Sequence, residues 1–153
     1  MEDIDNKDKH LLLLLQKNSR EQLKILARQI GLSIDSTKKR IEKLKQKGII
    51  AKFGAFIDPK AVGYDLVANV QIKLHNISEE ELAKFTSYLK AHNNVTTLIT
   101  TLGDFDITCV LIAKNTGEMD SLFREIRQKF KNLIADWKSV INLNVYKFEE
   151  YNL

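Results

Sequence analysis

Apolar residues recur at helical spacing through the first third of the chain and at alternating spacing through much of the rest. Ile4, Asp8, Leu11, Leu12 and Leu15 fall three and four apart until Asn18, Ser19 and Arg20 interrupt them, which predicts a first helix. Ser19, with Gln22 three residues on, has capping-box spacing for a short second helix. Its apolar stripe is Leu23, Leu26, Ala27 and Ile30, and Gly31 ends it. After Leu32, Ser33 is placed to cap a third helix. Ile34, Thr37, Ile41 and Leu44 lie within about 80° on its wheel and are the expected inward side, before Gly48 closes it. The opposite side carries Asp35, Ser36, Lys39, Lys43 and Gln46, with Arg40 and Lys47 on the flank.

From Ile49 the pattern turns extended through Phe53, Phe56 and Ile57, and Asp58-Pro59 then breaks it. A boundary near Asp58 to Gly63 divides the chain into expected domains at 1–60 and 61–153. Four strands are predicted in the second: Leu66 to Leu74, Val95 to Leu102, Ile107 to Ala113 and Ser139 to Tyr146. Two helices interleave with them. One is capped by Ser78 and runs through Leu82, Phe85, Tyr88 and Leu89; the other starts at Thr116 or Gly117 and runs through Met119, Leu122, Phe123, Ile126 and Phe130. The order βαββαβ is the ferredoxin-like arrangement, an antiparallel sheet with both helices on one face, so the expected class is α+β. Divided between two faces, Val67, Ile72, Val95, Leu98, Ile99, Val110, Ile112, Val140, Ile141 and Val145 leave the uncovered face too apolar to stay wet. A second copy of the chain is its simplest cover.

Composition narrows the class. The 153 residues are 44% hydrophobic and 29% charged with a single proline, which excludes disordered and fibrous chains. Cys109 has no second thiol, so no disulfide framework is expected. Leu11 to Leu15 is too short to span a bilayer, and Met1 to Asp8 is acidic where an export signal would be basic; a cytoplasmic protein without membrane contact is expected. Net charge is +4, but residues 1–60 hold 14 Lys/Arg against 8 Asp/Glu while the remainder holds 10 against 12. That asymmetry fits a first domain that meets phosphate, and equally a solvated lysine-rich surface.

Two short helices, a Gly-Leu-Ser turn and a polar third helix make the pattern of a helix-turn-helix, whose last helix enters the DNA major groove; an exposed helix of a small bundle reads the same way. Ile49 to Ile57, carrying Lys52, would pair locally as a wing. At this point the residues resemble the Lrp/AsnC class of transcription regulators. The likeness runs through Asp8 with Leu11-Leu12, Leu15, Asn18, Arg20, Leu26-Ala27, Gly31-Leu32-Ser33, Arg40-Ile41, Leu44 and Gly48-Ile49-Ile50, and continues at Gly103-Asp104-Phe105-Asp106. Thr37 stands where that family usually has a branched aliphatic residue, and Lys45 where an acidic one is common. The hydroxyl of Thr37 can turn to the backbone, so the fold should tolerate it.

The resemblance implies a winged helix-turn-helix followed by an effector and dimerisation domain. It implies homodimers, able to assemble further up to octamers, that set two recognition helices in major grooves about 34 Å apart. Asp35, Ser36 and Lys39 are then expected near base edges, and Arg40, Lys43 and Lys52 near phosphates. Arg40, on the flank, could instead form a salt bridge within its domain. By itself Gly103 to Asp106 reads as a hairpin turn. The resemblance makes Gly103, Asp104, Phe105 and Asp106 part of an effector pocket, where carboxylates meet the ammonium group of an amino acid.

The remaining candidates read as structure. Leu11 to Leu15 are core and dimer packing, and Trp137 is core or interface. His10, His75 and His92 lie apart without metal-ligand spacing. Asp104 and Asp106 lack an accompanying nucleophile, base or phosphate loop, so no enzyme and no cofactor are expected. The rival is a sirohaem decarboxylase on the same scaffold, which would need basic and His residues lining a tetrapyrrole pocket; Asn94 to Thr101 is Thr-rich and has neither Arg nor His.

Overall fold

The structure is a computed structural model and describes residues 4–153. Its contacts divide the chain into two units, one reaching Phe56 and including Tyr146–Leu153, the other Ile57–Val145.

In the first unit, α1 (Asn6–Lys17) opens on a reciprocal cap. The Asp5 carboxylate accepts from the Asp8 N–H at 2.8 Å, and the Asp8 carboxylate accepts from the Asp5 N–H at 3.4 Å. The second helix, α2 (Leu23–Ile30), starts later than Ser19 would place it, and Gln22 precedes it without a side-chain cap. The turn before it is organised by Asn18 instead, whose Oδ1 accepts from the Arg20 N–H and whose carbonyl accepts from the Glu21 N–H. Gly31 ends α2 in the left-handed region at φ +65°. Ser33 then caps α3 (Ile34–Gln46), its Oγ accepting from the Ser36 N–H at 3.1 Å. Leu11, Leu15, Leu26, Ile30 and Leu44 form the buried core, with Ile41, Ile49 and Ile50 at its edge. Ile34, expected inward, is 47% exposed; Leu32 in the turn packs on the core in its place.

The pairing expected of Ile49 to Ile57 is not made, and no strand forms there. Ile49 and Ile50 donate their N–H groups to the Leu44 carbonyl and close α3. Farther along, the Phe56 ring packs edge-on against Phe148 of the C-terminal segment, with centroids 5.4 Å apart. Gln16 on α1 holds the same segment through Tyr151. Its Nε2 donates to the Tyr151 carbonyl at 3.3 Å and its Oε1 accepts from the Tyr151 N–H at 3.0 Å.

The second unit opens with Pro59 and a 3-10 turn, Lys60–Val62. Its elements are β1 (Leu66–Leu74), α4 (Glu79–Ala91), β2 (Val95–Thr100), β3 (Ile107–Ala113), α5 (Thr116–Lys129) and β4 (Ile134–Ile141). Ser78 and Asn115 cap the two helices. All pairings are antiparallel, in the order β2-β3-β1-β4. Ala68, Val70, Ile72, Ile107, Cys109 and Leu111 face the helices and are fully buried with Phe85, Leu89 and Ile126. Each large side chain so buried contributes about 1.5–3 kcal/mol.

Two strand boundaries move. β2 ends at Thr100, before Leu102, and β4 begins at Ile134 rather than Ser139. Pairing with β1 fixes the second shift: Trp137 stands opposite Ile72 and its ring meets Phe123 at 5.5 Å, while beyond Ile141 the Asn142 N–H reaches the Val67 carbonyl and its Oδ1 accepts from the Asn69 Nδ2 at 2.7 Å. The register sets Val67, Ile99, Val110, Ile112 and Val140 on the face opposite the helices, among Asn69, Gln71, Thr97, Thr108 and Lys138. Ile72, Val95, Leu98 and Ile141 belong to the helix-covered side.

Candidate functional site

The exposed side of α3 is built from its cap outward. Ser33 satisfies the Ser36 N–H, one of the free donors of the first turn, and donates its own hydroxyl to the Ser36 Oγ at 2.8 Å. Asp35, in the first turn, lies at the positive end of the helix dipole. Asp35, Ser36, Lys38, Lys39, Glu42, Lys43 and Gln46 are all exposed. Among the described residues Lys39 and Lys43 form no ion pair, so their charges are available to an anionic partner. Lys45, the basic residue where an acidic one is common, lies 3.3 Å from Glu42. On the buried side, Thr37 has no exposed surface, and its Oγ1 donates to the Ser33 carbonyl at 2.9 Å.

Arg40 makes salt bridges within its own domain. Its Nη1 lies 2.7 Å from an Asp5 oxygen and 2.7 Å from an Asp8 oxygen. The two bonds hold the Arg40 pKa above its ordinary value, while the Asp8 N–H and then Arg40 hold the Asp5 carboxyl below its own. The sequence reading missed Lys7, one helical position from this cluster. Its Nζ donates to the Ile30 carbonyl at 2.6 Å and approaches the Gly31 carbonyl at 3.4 Å, closing the C-terminal end of α2. Nothing local announces that pairing, which joins residues 23 apart. Lys52 is exposed in the irregular segment after α3.

The loop between β2 and β3 does not present its two carboxylates together. Gly103 has φ +154°, and Asp104 beside it is exposed. The half-buried Phe105 ring lies under the Lys138 ammonium, 5.0 Å from its centroid. Asp106 turns inward, its Oδ2 accepting from the Leu74 N–H at 2.7 Å and its own N–H donating to the Ile72 carbonyl at 3.0 Å. Leu102 is fully exposed. Elsewhere, the Tyr88 hydroxyl donates to Glu125 at 2.6 Å; burial, and then this carboxylate, push the phenol up to about 12. His10 and His75 are exposed and His92 is half-buried. No group of three or more His, Cys, Asp or Glu side chains among the described residues gathers as a metal site would require. None of the described helices is long and apolar enough to cross a membrane.

Two family models match the chain, the AsnC-type helix-turn-helix domain over residues 4–45 and the Lrp/AsnC ligand binding domain over residues 67–150. The chain belongs to the Lrp/AsnC family. It is therefore a transcriptional regulator that joins a helix-turn-helix DNA-binding domain to a ligand-binding domain. This Lrp/AsnC chain is similar to the HTH-type transcriptional regulator FL11 of Pyrococcus abyssi, with 30% identity over 77% of this chain and 76% of the relative. Among solved structures it resembles an AsnC family transcriptional regulator from Agrobacterium tumefaciens, at TM-score 0.86 and 25% identity over 97% of each chain. The fold is shared with a Neisseria meningitidis transcriptional regulator in complex with L-Met, at TM-score 0.85 and 18% identity over 95% of this chain and 94% of that one.

Proposed function

We propose that this regulator reads DNA with α3, placing Asp35, Ser36 and Lys39 at base edges and Lys43 and Lys52 against phosphates. The observation that carries the reading is the exposed face of α3, on which Lys39 and Lys43 form no ion pair among the described residues, on the side opposite Thr37 and Leu44. Arg40 borders the same face. The working unit is a homodimer that presents two such helices about 34 Å apart, with further assembly up to an octamer. A second copy covers the sheet face of Val67, Ile99, Val110 and Val140, where Ile99 is 51% and Val140 64% exposed.

The effector is an amino acid or a related small metabolite, bound at the loop of Gly103, Asp104, Phe105 and Asp106. Asp104 supplies the carboxylate for its ammonium group, because Asp106 is occupied by β1. The L-Met complex of the Neisseria regulator supports this ligand class. The protein works in the cytoplasm by binding and not by catalysis. A sirohaem decarboxylase would need basic side chains on β2, whose open side instead carries Thr97 and Ile99.

Selection of bound sequences from random duplex DNA, repeated with each amino acid present, tests the reading. A palindromic motif whose recovery changes with one amino acid is expected. No enrichment, together with sirohaem-dependent release of CO₂, would overturn it.

A further inference from the structure

The first turn of α1 grips both helices of the helix-turn-helix at once. Lys7 closes the end of α2, while Asp5 and Asp8 share the Arg40 guanidinium from the middle of α3. Asp5 and Asp8 are themselves fixed by their reciprocal cap, so neither carboxylate can swing without giving up a backbone N–H. The cluster is partly shielded, with the Asp8 side chain 12% and the Arg40 side chain 30% exposed. Asp5, Asp8, Lys39, Arg40 and Lys43 line one shallow groove, so this bridge lies beside the cations offered to DNA.

Two carboxylates on one guanidinium separate the two roles open to Arg40. Asp5 and Asp8 more than neutralise the charge of Arg40 itself, so the cations that the groove still offers a phosphate are Lys39 and Lys43. The geometry does suit orientation: Arg40 directly follows Lys39, and rotating α3 by one residue, about 100°, would break both bonds. We propose that Arg40 is a positioning residue, held by Asp5 and Asp8 so that α3 presents Lys39 and Lys43 at a fixed rotation, and that it does not contact phosphate. This rests on the reading of α3 as the DNA-facing helix.

The test measures the Kd of the full chain for a selected duplex and for a random duplex over a series of KCl concentrations, with folding followed by circular dichroism. Arg40→Ala should weaken the selected duplex tenfold or more while leaving the random duplex and both salt slopes nearly unchanged. Asp8→Asn should act in the same direction, although it removes a negative charge from the DNA-facing side. Arg40→Lys, which keeps a cation for one carboxylate, should fall between Arg40→Ala and the parent and remain folded.

Three results would overturn the proposal: a salt slope lower by about one in Arg40→Ala, tighter binding by Asp8→Asn, or unchanged discrimination in both variants. Lys43→Ala separates this failure from that of the underlying reading. If Lys43→Ala leaves the slope unchanged, α3 is not the element meeting phosphate, whatever Arg40 does.

Discussion

The Asp106 carboxylate accepts a 2.7 Å hydrogen bond from the backbone N–H of Leu74, at the place where the β1–β4 register shifts. Leu74 is 6% exposed, so the bond satisfies a donor that water cannot readily serve. Asp106→Ala should therefore cost about 1–3 kcal/mol of stability, read as a lowered melting midpoint. An unchanged midpoint would mean that the sheet end relaxes to find another acceptor.

Asp104, two residues earlier, is exposed and has no such bond. Asp104→Ala should change stability by less than about 0.5 kcal/mol. It should abolish any amino-acid-induced change in DNA binding or assembly while sparing dimers. An intact response would move the effector site away from this loop.

The contrast between these two aspartates marks what could be read before folding. Both lie in one short Gly-Asp-Phe-Asp run, and only the register of β1 against β3 shows that one is occupied and the other free. Where the controlling interaction is local, sequence sufficed: Ser33 capping α3 three residues away, or the alternation that bounds β1 and β3. Ser19 and Ser139 misled for a shared reason. A good local pattern was overruled, by the Asn18 turn in one case and by pairing of Trp137 opposite Ile72 in the other. Lys7 with Ile30 and Asp5 with Arg40 join residues 23 and 35 apart, and no periodicity carries such pairs. The proposal that the Gly103 to Asp106 loop meets an effector rests on family resemblance and on no local pattern.

Thr37 replaces the usual branched aliphatic residue at no apparent cost to packing, since it is fully buried and its hydroxyl is satisfied by the Ser33 carbonyl. That carbonyl also accepts from the Thr37 N–H at 3.0 Å. Thr37→Val removes one of the two bonds and leaves the Ser33 carbonyl its backbone donor, so stability should change by less than about 1.5 kcal/mol and DNA affinity should hold. Denaturant unfolding and duplex binding measure the two. A large loss in either would give the hydroxyl a role beyond filling space.

Gly31 joins α2 to the turn at φ +65°, and a Cβ there would meet only the Lys7 Nζ at 3.6 Å, ordinary contact distance. Space is therefore not the obstacle; the left-handed backbone is. Gly31→Ala should cost about 1–2 kcal/mol, and denaturant unfolding should show it. If the loss is much larger, the added methyl has also displaced Lys7 from the end of α2, and Lys7→Met in the same background should then cause little further change.

Tyr88 gives a pH dependence at the alkaline end. Its phenol is held up to about 12, first by burial and then by its bond to Glu125, against about 10 in an unfolded chain. The folded state therefore keeps this proton where the unfolded state has begun to lose it, and stability falls as pH rises between those values. The contribution is complete below pH 10 and gone above the folded value. In Tyr88→Phe the group no longer titrates, so the fall in unfolding free energy between about pH 10 and 12 should be shallower than in the parent. Denaturant unfolding at stepped pH measures it, and superimposable curves for the two proteins would show that Tyr88 ionises as freely as an exposed phenol.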